Sequence, residues 1–124
     1  MPANYSNIKF GTDGWRAVMA EDFTFANVRA VAQATADYFR RRKTRTTRKR
    51  MVVGYDRRFL SDEFAMAVAE VLAGNGYEVI LTNTPTPTPA VSWAVKAGQG
   101  RAGVMVTASH NPASDSGVKL FDRH

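Results

Sequence analysis

Apolar and polar residues alternate along this chain in blocks of two kinds. Short apolar runs, which are typical of buried strands, occur at 51–55, 77–81, 103–106 and 117–121. The segments between them have apolar residues three and four positions apart, a spacing that predicts helices packed against a sheet. Before the first helix, residues 8–19 form a short strand, a glycine-bracketed turn and a second short strand.

Each predicted helix has a start signal. Thr24 fits an N-cap, with Phe23 and Val28 at the spacing of a hydrophobic staple. Ser61 is predicted to cap the second helix, and Thr88 the third, which has a proline at its first position. The predicted buried positions are Val28, Val31, Ala32, Thr35 and Phe39, then Phe64, Val68, Val71 and Leu72, then Val91, Ala94 and Val95.

This alternation of strands and helices predicts an α/β protein. We expect a three-layer α/β/α sandwich around a mixed, mostly parallel four-stranded central sheet, with an antiparallel element near one end. A chain of 124 residues suffices for one core, so residues 1–124 are predicted to form a single domain. The three most evident strands end at Asp56, Thr82 and Thr107, and parallel strands would bring these ends to one edge, where α/β sheets bind ligands.

Composition excludes several classes of protein. The chain has no cysteine, which rules out disulfides and thiolate metal sites. No apolar run approaches the roughly 18 residues of a membrane span, and no signal peptide is visible. We therefore expect a cytoplasmic protein that does not engage a membrane.

The net charge of +6 has one local source. Residues 40–50 hold eight of the 17 basic residues, and the remainder has nine basic against 11 acidic residues. No aromatic residue interleaves this tract after Phe39, so we favour a variable surface segment over a nucleic-acid site. A non-catalytic module that binds a polyanion through residues 40–50 is the alternative function of a different class.

The loop after residues 103–106 is the first candidate for chemistry, since Ser109 and His110 lie there. They do not form a dyad by adjacency, because neighbouring side chains on an extended segment point to opposite faces. The hydrolase motif G-x-S-x-G is also absent. Two interpretations stay open: a polar loop in which Ser109 bonds to backbone, or a serine that acts as nucleophile or carries phosphate.

Two other segments are ambiguous. Residues 11–16, Gly-Thr-Asp-Gly-Trp-Arg, fit either a plain hairpin turn or an anion site in which Arg16 grips a phosphate. Asp56, Arg57 and Arg58 are most simply a solvated loop with a local ion pair. No group of His, Asp and Glu has metal-ligand spacing.

Four segments together resemble the α-D-phosphohexomutases, the phosphoglucomutase/phosphomannomutase family. They are Phe-Gly-Thr-Asp-Gly-Trp-Arg at 10–16, Val-Gly-Tyr-Asp-Arg-Arg at 53–58, the Thr-Pro repeat before a helix, and Val-Thr-Ala-Ser-His-Asn-Pro at 106–112. The chain resembles the first domain of that family from end to end.

The resemblance implies transfer of a phosphoryl group between O1 and O6 of a hexose phosphate, through a hexose 1,6-bisphosphate. Ser109 would be the phosphoserine, and its phosphate would be a ligand of Mg²⁺. Arg16 would lie near that phosphate and bind it together with Lys119. Either His110 or Lys119 would assist proton transfer.

Two departures from the family pattern bear on these assignments. Ser116 replaces the asparagine of the family's Asn-Gly-x-Lys segment, which weakens the assignment of Lys119. The family's Asp-Gly-Asp-Gly-Asp-Arg metal loop and the rest of domains II–IV are absent from these 124 residues. We therefore expect the chain to be inactive alone and able to self-associate. A phosphoglucosamine mutase fragment is the alternative enzyme, although that branch usually has Ser where this chain has Thr107.

Overall fold

The computed structural model describes residue 8 and residues 14–19, 23–41, 50–97, 102–107 and 115–122. Within these residues the chain forms three helices and one five-stranded sheet with the strand order β1-β5-β4-β2-β3. In chain order the elements are β1 (Trp15–Val18), α1 (Phe25–Arg41), β2 (Arg50–Tyr55), α2 (Ser61–Gly74), β3 (Glu78–Leu81), α3 (Thr88–Lys96), β4 (Ala102–Val106) and β5 (Asp115–Asp122).

The α/β class and the mixed sheet are confirmed, with five strands where the sequence analysis predicted four. β2 pairs in parallel with both β3 and β4, whereas β5 pairs antiparallel with β4 and with β1. The additional strand is β1, which lies at the edge of the sheet and pairs with β5. In this pairing Trp15 is opposite Val118. These side chains are buried on one face, so the register is set by what they cover.

Helices α1 and α2 cover one face of the sheet over the main core. The predicted α1 positions are buried, from Val28 to Phe39, and so are Phe64, Val68 and Leu72 in α2. Phe23 joins the edge strand to this core, since its ring stacks on Trp15 at 4.7 Å and meets Phe64 edge-to-face at 4.8 Å. Burial of side chains of this size stabilises the fold by roughly 1.5–3 kcal/mol each.

Helix α3 covers the opposite face over a smaller cluster of Val52, Val91, Val95 and Met105. It approaches the sheet closely because two strand positions lack side chains. A Cβ at Gly103 would lie 2.8 Å from Val95 Cγ2, and a Cβ at Gly54 would lie 2.5 Å from Val91 Cγ2. The close docking of the third layer therefore depends on glycine at both strands.

The helix starts agree in part with the sequence. Thr24 Oγ1 accepts the Asn27 N–H at 3.2 Å, which confirms it as the cap of α1. Helix α3 begins at Thr88 with Pro87 as its cap, one residue earlier than predicted, and it carries the expected proline in its first turn. Helix α2 ends at Gly74, and Gly76 has a φ of 91°, as the Gly-Asn-Gly stop predicted.

Replacing Gly103 with Ala tests the docking of α3. We expect Gly103→Ala to lower the free energy of unfolding of this chain by about 1–3 kcal/mol, because the new methyl overlaps valine side chains. Urea denaturation measures this change. Gly74→Ala is the matched control, since a Cβ there meets nothing within 4 Å and should leave stability unchanged or raise it. Equal effects at both sites would contradict the close packing.

Candidate functional site

The carboxyl edge of the central strands carries a row of four residues from four different segments. Tyr55 and Val106 are the last pair of the β2–β4 ladder, and just beyond them the Asp56 N–H donates to the Val106 carbonyl at 3.2 Å. The Thr107 N–H donates to the Gly117 carbonyl at 2.8 Å, and Gly117 pairs with Arg16. The order across the sheet is therefore Asp56, Thr107, Gly117 and Arg16.

The carboxylate of Asp56 is the hydrogen-bonding centre of this row. Its Oδ1 accepts the Arg58 N–H at 3.0 Å and the Ser61 hydroxyl at 2.7 Å. Its Oδ2 accepts the Thr107 hydroxyl at 2.6 Å and lies 3.3 Å from Arg58 Nε. The local ion pair is as expected, but the loop is not merely solvated: the Asp56 side chain is only 24% exposed and joins three segments.

Ser61 has a different role from the one predicted. Its hydroxyl points back to Asp56 and does not cap α2. The cap residue is Leu60, in the left-handed conformation with φ 61° and without a side-chain cap bond. The N-cap prediction for Ser61 is therefore wrong: Ser61 is already the first residue of α2, and the charge-assisted bond that its hydroxyl donates to Asp56 turns the side chain away from the N–H groups that a cap would accept.

Arg16 and Lys119 lie on the same face of the sheet, the face that α3 covers. Arg16 is opposite Gly117, and Lys119 is two residues further along β5, where it pairs with Met105. Gly117 allows this arrangement: a Cβ there would lie 2.8 Å from Arg16 Cγ and 2.8 Å from the Thr107 carbonyl oxygen. Any side chain at Gly117 would therefore displace both Arg16 and the start of the loop.

Ser109 and His110 lie outside the described residues, so their predicted roles stay predictions. The described chain fixes both ends of the segment that holds them. It leaves the sheet at Thr107, which is bonded to Asp56 and Gly117, and returns at Asp115, which pairs with Val18. Of the four predicted site residues, Lys119 lies on β5, which follows this segment, and Arg16 lies on β1, which pairs with β5.

A shallow cavity of about 240 Å³ opens beside Asp56 at the same edge of the sheet. Its wall is formed by Pro85, Asp62 and the four residues 55–58. The side chain of Arg57 is exposed there. Most of the lining residues are charged, and they include both acidic and basic side chains.

The basic tract 40–50 is described only at its ends, since residues 42–49 lie outside the described chain. At these ends Arg40 and Arg50 bind within the domain. Arg40 Nη2 donates to Asn75 at 2.9 Å, and Arg50 Nη2 lies 3.3 Å from a carboxylate oxygen of Glu78. Arg50 also begins β2, so it belongs to the sheet and not to a free surface segment.

Two negative findings apply to the described part of the chain. None of its helices is long and apolar enough to cross a membrane. Among these same residues, no three His, Cys, Asp or Glu side chains come together in a group that could hold a metal ion.

Sequence reasoning missed Asp56 and Thr107 as partners because 51 positions separate them. Part of the signal was local: an Asp directly after a buried strand often accepts the N–H two residues on, as Asp56 does from Arg58. The link to Thr107 required the parallel pairing of β2 with β4, which places the two strand ends side by side.

Comparison with known proteins assigns this arrangement to a family. Residues 7–124 match the family model described as phosphoglucomutase/phosphomannomutase, alpha/beta/alpha domain I. The chain belongs to this family. The family resemblance and the domain I assignment made from the motifs are confirmed.

Individual relatives agree with this assignment. A phosphoglucosamine mutase of Aliarcobacter butzleri is 36% identical over 115 residues, which cover 93% of this chain and 25% of the relative. A phosphoglucomutase of Staphylococcus saprophyticus is 36% identical over 118 residues, with coverages of 93% and 21%. The solved structure of a Thermus thermophilus protein assigned to the phosphomannomutases is 42% identical, with a TM-score of 0.88 over 97% of this chain and 26% of that one. The chain thus spans about a quarter of the length of these relatives.

Replacing Ser61 with Ala tests the hydrogen-bonding centre at Asp56. We expect Ser61→Ala to lower the free energy of unfolding by about 1–3 kcal/mol, because the change removes a buried donor to a carboxylate. Ser92→Ala, in the half-exposed part of α3, is the control and should be neutral or slightly stabilising. A Ser61→Ala protein as stable as wild type in urea denaturation would show that the bond contributes nothing.

Proposed function

We propose that this chain is the phosphoserine-bearing domain of a mutase that interconverts hexose 1-phosphates and hexose 6-phosphates. The observation that supports this most is family membership over residues 7–124, in a chain whose sequence continues from β4 directly into Thr-Ala-Ser-His-Asn-Pro. The full reaction is proposed for the longer enzyme, since the relatives are about four times the length of the match.

In the proposed reaction, Ser109 carries the phosphoryl group that is transferred. The phosphorus–Oγ bond of phosphoserine breaks as a hydroxyl oxygen of the hexose phosphate bonds to phosphorus, which gives a 1,6-bisphosphate. After this intermediate reorients, the serine Oγ takes the other phosphoryl group, and the isomeric monophosphate leaves. His110 or Lys119 accepts the proton of the attacking hydroxyl and returns a proton to the departing oxygen.

Positive charge on β1 and β5 supports this proposal. A phosphoserine adds roughly −1.5 to −2 charges at pH 7, and phosphoryl transfer depends mainly on positioning and charge stabilisation. Arg16 and Lys119 extend from the same face of adjacent strands, with Arg16 opposite Gly117 and Lys119 two residues further along β5. Arg16 offers two parallel donors to a phosphate, and Lys119 adds a single positive charge.

The divalent cation belongs to the longer enzyme. Mg²⁺ would bind oxygen ligands and neutralise charge on the phosphoryl group during transfer. This chain would supply one ligand, the phosphate of Ser109, and the remaining ligands would come from outside these 124 residues. Hexose 1,6-bisphosphate is proposed as the intermediate and as the compound that loads Ser109.

The proposed substrates are hexose phosphates, and the proposal does not specify which hexose. One phosphoglucosamine mutase and one phosphoglucomutase each match this chain at 36% identity, so these relatives do not favour glucose over glucosamine. The chemistry proposed for Ser109, Arg16 and Lys119 is the same in either case, because it acts on the phosphate and not on the sugar. The alternative, a module that binds a polyanion through residues 40–50, stays a prediction: Arg40 and Arg50 bind within the domain, and residues 42–49 lie outside the described chain.

Ser109→Ala in the whole mutase tests the proposed carrier. We expect conversion of hexose 1-phosphate to fall at least 1,000-fold, because the phosphoryl group then has no acceptor on the enzyme. Peptide mass spectrometry of the wild-type enzyme after incubation with hexose 1,6-bisphosphate should find phosphate on the peptide that contains Ser109.

Ser114→Ala is the matched control, a serine five residues later in the same segment. It should keep both turnover and the phosphate on Ser109. Near-normal turnover in Ser109→Ala, or phosphate on Ser114 in place of Ser109, would overturn the proposal.

A further inference from the structure

The carboxylate of Asp56 accepts three hydrogen bonds from the protein and forms one ion pair. A carboxylate offers roughly four lone-pair sites, and four donor groups reach this one: the Arg58 N–H, the Arg58 Nε, and the hydroxyls of Ser61 and Thr107. These contacts hold the carboxylate against its own loop, the start of α2 and the end of β4. The Asp56 side chain therefore has a structural role: it connects parts of the protein to one another.

One of the four donors differs from the others in its place in the chain. Arg58 and Ser61 belong to the same loop and helix start as Asp56, whereas Thr107 is 51 residues away at the end of β4. The Thr107 hydroxyl lies 2.6 Å from Oδ2, the distance of a strong charge-assisted hydrogen bond, and Thr107 is buried. This bond therefore ties the end of one strand to the end of its neighbour.

Thr107 is held at two points, and Ser109 follows it by two residues. Its N–H is bonded to Gly117 on one side, and its hydroxyl is bonded to Asp56 on the other. Two residues of extended chain span at most about 7 Å. The position of Thr107 thus limits where the segment with Ser109 begins relative to Arg16 on β1.

We propose that Asp56 is a positioning residue for phosphoryl transfer: through its bond to Thr107 it fixes the start of the segment that carries Ser109. The inference rests on the proposed function for its catalytic consequence, but not for the anchoring itself. Phosphoryl transfer is sensitive to small displacements of the reacting group, so loss of this bond slows the chemical step more than it weakens substrate binding.

Two substitutions remove the bond from opposite sides. Thr107→Val deletes the hydroxyl and keeps the shape, and Thr107→Ser restores a hydroxyl. Asp56→Asn keeps the size of the side chain, but an uncharged amide has a single acceptor oxygen for donors that now reach two carboxylate oxygens. Glu63→Gln is the matched control, a carboxylate-to-amide change at an exposed position in the first turn of α2.

Hydrogen exchange in this 124-residue chain tests the anchoring without reference to catalysis. Mass spectrometry of peptides that cover residues 107–112 should show exchange about tenfold faster in Asp56→Asn and in Thr107→Val. Exchange in Thr107→Ser and Glu63→Gln should stay within about twofold of wild type. Wild-type exchange in both disruptive variants would overturn the proposal. If circular dichroism shows that one of these two variants is unfolded, the exchange result of the other variant is the test.

Steady-state kinetics of the whole mutase test the consequence. Thr107→Val should lower kcat at least tenfold while KM for the hexose phosphate stays within about twofold, and Thr107→Ser should recover most of kcat. An unchanged kcat in Thr107→Val, or a loss confined to KM, would overturn the positioning role. Full activity in Ser109→Ala would instead overturn the proposed function and leave the exchange result valid.

Discussion

The hydrogen bond between Thr107 and Asp56 is the constraint on which the candidate site depends. A 2.6 Å bond from a buried hydroxyl to a partly buried carboxylate joins the ends of two parallel strands. The hydrogen bonds between β2 and β4 stop where these strands end. The loops that follow the two strands are held together beyond that point only by further contacts such as this one. Asp56 continues the connection by one residue, through its own N–H to Val106 and through its side chain to Thr107.

The antiparallel half of the sheet completes the site from the other side. Because β5 returns beside β4, Gly117 faces Thr107, and because β1 pairs with β5, Arg16 faces Gly117. The missing side chain at Gly117 lets these backbones and Arg16 pack together. The mixed topology thus brings Arg16 of β1 and Thr107 at the end of β4 to either side of Gly117.

Much of the fold followed from the sequence because the buried face of each helix repeats at helical spacing and each central strand is a short apolar run. The α1 face from Val28 to Phe39 and the stop at Gly74–Gly76 are local patterns, and both are observed. Ser61 was misjudged because a serine before acidic residues has the pattern of a cap, and nothing local shows that its hydroxyl donates to Asp56 from the first position of the helix. The fifth strand depends on pairing between β1 and β5, which lie at opposite ends of the chain.

The candidate site was predictable to the extent that it consists of motifs. Arg16 and Lys119 were predicted from the resemblance, and the structure puts them on one face of adjacent strands, while the roles of Ser109 and His110 stay predictions. Asp56 could not be predicted as a positioning residue, because its importance lies in a contact across 51 residues.

The most direct test of the central interaction is a double-mutant cycle for Asp56 and Thr107 in this chain. The free energies of unfolding of wild type, Asp56→Asn, Thr107→Val and the double variant are measured by urea denaturation. If the two side chains stabilise the fold through their mutual bond, the cycle gives a coupling free energy of about 1–3 kcal/mol. Effects that add to within about 0.3 kcal/mol would contradict the anchoring of Thr107 by Asp56.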